Sequence, residues 1–195
     1  SQSQSQSQSQ SQSQSQSQSQ SRSRSQKGIY IQPLGDVPPE YLTFLQQSVH
    51  RFYGYPCVVK PAVPLTPNLL AASQTRYEAS KILLKYNSPQ NLLLITTQDI
   101  AHRKSAAVPE YGIFGLGYRP GTTCVVSTFR LQRHVSRAKM LERLEKVALH
   151  EIGHNLGLPH CTHDKHCMMQ AAQGTIKQVD LEKVWFCEGC RAKLE

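Results

Sequence analysis

Apolar and polar residues along this chain fall into short runs that switch repeatedly between strand-like and helix-like periods. Residues 29–34 (IYIQPL) read as a strand. Pro38-Pro39 then opens a helix that runs to about Phe52, proline being well suited to a first helical turn. Residues 57–60, preceded by Gly54 and followed by a proline-rich stretch, read as a second strand. Ser73 is expected to cap a helix through about Tyr86, with Tyr77, Ile82, Leu83 and Leu84 apolar. Residues 91–97 (NLLLITT) form a continuous apolar run, the pattern of a strand buried on both faces. Residues 112–118 (GIFGLGY) and 123–128 (TCVVST) read as two further strands joined by a turn at Arg119-Pro120-Gly121. From Arg137 to Leu149 the apolar positions Met140, Leu141, Leu144, Val147 and Ala148 follow a 3.6-residue period, so this helix buries one side. Residues 175–185 (TIKQVDLEKVW) predict a shorter helix near the end. The order of elements predicts an α/β fold, a twisted mixed sheet backed by helices.

The first 20 of the 195 residues are a strict Ser-Gln repeat, and residues 1–26 contain no apolar side chain. Such a segment cannot bury surface, and it is expected to be a disordered low-complexity tail or an artefact. Residues 27–195 are long enough for one domain with a single core. The formal charge is +9, of which Arg22 and Arg24 supply two units. The remaining basic residues are scattered, without aromatic interleaving or a nucleic-acid motif, so a solvated basic surface is expected and not nucleic-acid binding. No apolar run reaches the ~18–20 residues needed to span a bilayer, so no membrane association is expected. No stretch reads as a signal peptide, which points to a cytoplasmic location with reduced thiols.

The chemistry lies in residues 150–160, which read H-E-x-x-H-x-x-G-x-x-H. His150 and His154, at i and i+4, share one helix face and can hold one metal ion. Glu151 is one step round the helix, where it can take a proton from a metal-activated water. Gly157 can adopt the left-handed backbone that ends a helix, and Pro159 keeps the helix from resuming. His160 can then swing back as a third ligand. Three protein ligands leave a coordination position open, which is the catalytic form of a zinc site.

Cys161 and Cys167 follow directly, and Cys187 and Cys190 form a later C-x-x-C. Four cysteines in two pairs fit a closed, structural four-thiolate zinc site. Two disulfides or a redox pair are the alternatives. His163 and His166 lie between the first two cysteines, either as substitute ligands or as exposed loop residues. Cys57 and Cys124 stand apart and are expected to be small buried hydrophobic residues.

The run from His150 through Cys190 resembles the archaemetzincins. In that family the zinc motif is followed directly by cysteine, a short gap to a second cysteine, x-Met, seventeen residues and C-x-x-C. Here those elements are His150 to His160, Cys161, Cys167, Met168-Met169, then Cys187 and Cys190. One departure is visible: five residues separate Cys161 from Cys167, where the family usually has four. The resemblance implies a zinc metallopeptidase of the metzincin type with two zinc ions, one catalytic on the histidines and one structural on the cysteines. It implies that Met169 occupies the methionine turn beneath the catalytic metal, and that the substrate is a peptide or protein. It also implies an N-terminal subdomain over residues 27–157 and a small zinc-stapled subdomain over 158–195. A non-catalytic zinc-stabilised peptide-binding module, or a zinc hydrolase of other substrates, stays open beside it. Metzincins bind substrate along an edge strand. Residues 112–118 suit that role, with Gly112, Gly115 and Gly117 permitting close backbone approach; a glycine-rich connection is the other reading. No tyrosine follows Tyr118, so no second oxyanion donor is named. A monomer is expected.

Overall fold

Leu92–Thr96 is buried at all five positions, and this one strand sets the architecture. Alternate residues of a strand face opposite sides of the sheet, so a wholly buried strand needs cover on both faces. Leu93 and Ile95 join one core cluster with residues of the long helices, while Leu92 and Leu94 join another with Ile82 and Leu83. The structure, a computed structural model, describes residues 28–194. The expectation for the Ser-Gln segment lies outside the described residues.

The elements in chain order are β1 (Ile29–Pro33), α1 (Pro39–Tyr53), β2 (Cys57–Val59), β3 (Tyr77–Glu78), α2 (Ala79–Lys85), β4 (Leu92–Thr96), β5 (Ile100–His102), β6 (Tyr111–Ile113), β7 (Gly115–Gly117), β8 (Thr123–Ser127), α3 (Arg137–Asn155), α4 (Ile176–Leu181) and α5 (Glu188–Ala192). The main sheet has the order β2-β1-β4-β8-β7. Its first four strands run parallel, and β7 closes one edge antiparallel to β8. A second sheet of three strands has the order β3-β5-β6. Helices α1 and α3 cover one face of the main sheet, with Leu45, Val49, Leu144 and Leu149 fully buried against it. Each such side chain contributes about 1.5–3 kcal/mol by leaving water. Helix α2 covers the other face through Ile82 and Leu83. This is the layered α/β arrangement predicted above.

Three predicted elements are corrected. The helix expected from Ser73 to Tyr86 is confined to Ala79–Lys85, because Tyr77 and Glu78 pair in parallel with Ile100 and Ala101 of β5. Ser73 caps no helix: its N–H and hydroxyl both bond the Glu110 carboxylate at 2.6 Å. The strand expected over 112–118 breaks at Phe114. Its first half pairs with β5 in the small sheet, and its second half pairs with β8 in the main sheet. The helix expected over 175–185 stops at Leu181, since Glu182 turns extended at ψ 152°. The following residues run alongside the loop between Cys161 and Cys167 instead, with Lys183 N–H donating to the His166 carbonyl at 2.9 Å. Strand β5 and helix α5 have no counterpart among the elements predicted from the sequence pattern. Among the described residues no helix is long and apolar enough to cross a membrane.

Candidate metal centre

Ser136 caps α3, its hydroxyl accepting from Lys139 N–H at 3.2 Å. The helix then packs its apolar stripe into the core and ends where Gly157 adopts φ +100°. Gly157 N–H bonds the His154 carbonyl at 2.9 Å and Leu158 N–H bonds the Gly153 carbonyl at 3.0 Å. That pair of bonds is a Schellman ending. It reverses the chain so that His160 returns to the helix face carrying His150 and His154.

The ring nitrogens available from His150, His154 and His160 all lie within 4.8 Å of one another. His150 Nδ1 lies 2.7 Å from the Met168 carbonyl, and His154 Nδ1 lies 2.7 Å from the Leu158 carbonyl. A carbonyl can only accept, so each Nδ1 carries the proton and each Nε2 lone pair is free. His154 Nε2 and His160 Nε2 are 3.2 Å apart. Two imidazoles on a tetrahedral zinc ion at ~2.0–2.1 Å would be separated by about 3.3–3.4 Å, so the donors fit that ion. Burial, with His154 next, brings the His150 imidazole down to about 3, and burial also lowers His154 and His160. All three therefore favour the neutral form in which imidazole ligates metal.

Glu151 is buried, and burial pushes its carboxyl up to about 8. It packs against the edge strand. A Cβ on Gly115 would come within 2.8 Å of Glu151 Cγ, and one on Gly117 within 2.9 Å of the Glu151 carbonyl oxygen. The β7 glycines thus make a notch for the Glu151 residue. Gly112 is different again, as a side chain there would overlap the Arg130 guanidinium, which is held by Asp99 at 2.8 and 3.0 Å.

Met169 is fully buried below α3, and its sulfur would lie 2.7 Å from a Cβ on Gly153. It therefore packs under the helix that carries His150 and His154. Sequence reasoning missed the role of its neighbour: the Met168 carbonyl orients His150. It also missed Tyr111, whose hydroxyl donates to the Gln173 carbonyl at 2.7 Å and so brings a tyrosine to the segment after Met169. A cleft of about 560 Å³ opens over the site, lined by Tyr111, Gly115, His150, Glu151, His160 and Glu182 among others.

Cys161, Cys167, Cys187 and Cys190 are buried, with sulfurs within 4.8 Å of one another. The Cys161–Cys187 and Cys167–Cys190 sulfur separations are 3.7 and 3.8 Å. Neither is a disulfide, whose bond is about 2.0 Å. Both match the edge of a zinc–thiolate tetrahedron, about 3.8 Å for Zn–S of ~2.3 Å. Burial by itself would raise Cys161, but the Asp164 and His163 backbone amides and the Cys187 thiol outweigh it and bring the group down to about 6. Burial raises Cys167 and Cys190. Four clustered thiols cannot all ionise without a cation among them, and a divalent ion resolves that conflict. His163 is exposed and His166 partly so. Cys124 is fully buried, as expected, but Cys57 is only half-buried.

Residues 76–195 match the model of Peptidase family M54, and the class is that of a zinc metallopeptidase. The archaemetzincin of Archaeoglobus fulgidus is 32% identical over 166 residues, covering 85% of this chain and 98% of that one. The archaemetzincin of Pyrococcus abyssi is 30% identical over 181 residues, covering 86% and 94%. A crystal structure of the Archaeoglobus fulgidus protein superposes with a TM-score of 0.75 at 31% identity, covering 85% of this chain and 99% of that chain. The chain belongs to the archaemetzincins.

Proposed function

We propose that this protein cleaves peptide bonds in the cleft over α3, with His150, His154 and His160 holding a catalytic zinc ion and Glu151 serving as general base. Such an ion supplies a Lewis acid that polarises the scissile carbonyl and acidifies water. Glu151 takes a proton from the attacking water and returns it to the leaving amine. Burial raises its carboxyl, so the proton taken from water is held firmly until the leaving amine receives it. The Met168 and Leu158 carbonyls hold the imidazoles so that their Nε2 atoms converge. The free edge of β7 offers main-chain groups to an extended peptide. Cys161, Cys167, Cys187 and Cys190 hold a second, structural zinc ion, giving two per chain. It ties the loop after His160 to the C-terminal segment, so that residues 158–195 form a stapled unit beside 27–157. The protein acts as a monomer in the cytoplasm.

The observation that carries this reading is the convergence of three imidazoles, with ring nitrogens within 4.8 Å of one another, beside a buried carboxyl group on the adjacent helix position. Replacing Glu151 with Gln should leave zinc content unchanged and abolish hydrolysis of a mixed peptide library. Turnover that survives in a zinc-loaded E151Q protein would refute the role of the carboxylate.

A further inference from the structure

Glu182 is a buried carboxylate in the wall of the cleft that the hydrolytic chemistry does not use. Its surroundings contrast with those of Asp180, two residues earlier. Asp180 is saturated on the core side by Arg143, whose Nε and Nη2 donate at 2.8 and 2.7 Å. The carboxylate of Glu182 has one polar contact among the described residues, a long one of 3.5 Å from Gln178 Nε2. A carboxylate has about four acceptor sites, and burying it unpaired is costly.

The lysines around the cleft donate or stack elsewhere, although the Lys146 charge also acts on Glu182. Lys146, on α3, donates instead to the Val179 carbonyl at 3.0 Å. Lys104, at the β5 end of the cleft, lies over the Tyr111 ring at 4.5 Å from its centre. His150 is turned to the Met168 carbonyl and His154 to the Leu158 carbonyl, while among the described residues Glu151 is the one other carboxyl group lining the cleft. The lining of the cleft also includes the apolar residues Val147, Val179, Ile113, Phe114 and Ala172. A cleft with apolar residues in its walls and a sparsely hydrogen-bonded carboxyl group suits a ligand group with a hydrocarbon stem and a cationic head.

We propose that Glu182 is a specificity-determining residue, receiving an ammonium or guanidinium group of the peptide held in the cleft. This rests on the peptidase reading above. Burial raises the carboxyl to about 8, so an incoming cation displaces the carboxyl proton and pairs with the ionised form most readily above that pH. A charge-assisted hydrogen bond made there contributes to binding whenever the substrate is charged at that place.

The test separates recognition from turnover. Fluorescently labelled peptides carrying lysine or norleucine at each position in turn, with free or acetylated N-termini, are titrated into zinc-loaded E151Q protein and into E151Q/E182Q. The same peptides are assayed for cleavage by wild type and E182Q. The expected result is 10- to 100-fold tighter binding of one cationic form by E151Q, falling to within threefold of the neutral form in the E151Q/E182Q protein. Preference for lysine at one position assigns a basic side chain; preference for the free terminus assigns the α-ammonium group. No cation preference, or one unchanged by E182Q, overturns the proposal. Binding preference without cleavage by wild type would overturn the peptidase reading and leave the role of Glu182 standing.

Discussion

Replacing Gly115 with alanine puts a methyl carbon 2.8 Å from Glu151 Cγ, 3.0 Å from its Oε1 and 3.0 Å from the Val125 carbonyl. Ordinary carbon contacts are about 3.5–4.0 Å, so roughly 1 Å must be recovered. Val125 belongs to β8, which is paired on both sides and buried throughout, and it cannot yield. Either β7 peels from the sheet edge or Glu151 swings away. The overlap should destabilise the fold by about 1–3 kcal/mol. If Glu151 is the general base proposed above, a displacement of ~1 Å there reduces turnover by as much as ~100-fold, equivalent to about 2.7 kcal/mol in the barrier. The assay is steady-state hydrolysis by G115A against wild type, with zinc content and thermal melting measured in parallel. The expected outcome is kcat lowered 10- to 100-fold with zinc retained and KM changed much less. A normal kcat with a several-fold higher KM would refute this account, and would return Gly115 to the role of admitting the substrate backbone.

Two further outcomes follow from buried groups. Cys187→Ser should lose about one zinc ion per chain and several kcal/mol of stability, read by metal analysis and denaturant titration, with the activity loss secondary. Glu182→Gln should change how stability depends on pH. The carboxyl of Glu182 is raised by burial from 4.5 to about 8, so the folded state holds its proton more tightly than the unfolded state. Its contribution is intact below about pH 4.5 and lost as pH rises through about 8. E182Q should match wild type near pH 4.5 and exceed it near pH 7 by on the order of 3 kcal/mol, at 1.36 kcal/mol per pKa unit. A stability difference that does not vary with pH would count against the burial argument.

What could be read from the sequence was what depends on near neighbours. The i, i+4 histidines, the glycine turn and the cysteine pairs lie within runs whose spacing fixes their relative placement. Residues 92–96 announced a buried strand because nearly every position is apolar. The misplaced elements are those decided by distant partners. Tyr77 and Glu78 have no strand pattern of their own and become extended only by pairing with β5, itself three residues long. Residues 112–118 look continuous, yet two different neighbours claim the two halves. Tyr111 reaches the cleft from 62 positions upstream of its partner Gln173, a distance no local pattern encodes. The carbonyls that orient the histidines are invisible for another reason: a backbone oxygen carries no residue signature.

Those carbonyls also explain why the histidine and cysteine clusters are neighbours in sequence. Met168 N–H is bonded to the Trp185 carbonyl at 2.9 Å, while the Met168 carbonyl accepts from His150 Nδ1 at 2.7 Å. Cys161 N–H bonds the Met169 carbonyl at 2.8 Å, next to His160 in the chain. One dipeptide therefore connects the C-terminal segment, the cysteine cluster and the first histidine. A thiolate-held zinc ion would fix Cys161, Cys167 and Cys187 around it, and so would fix the orientation of His150 from below. Displacing the cysteine cluster should then weaken metal affinity at the histidines even though no histidine has changed.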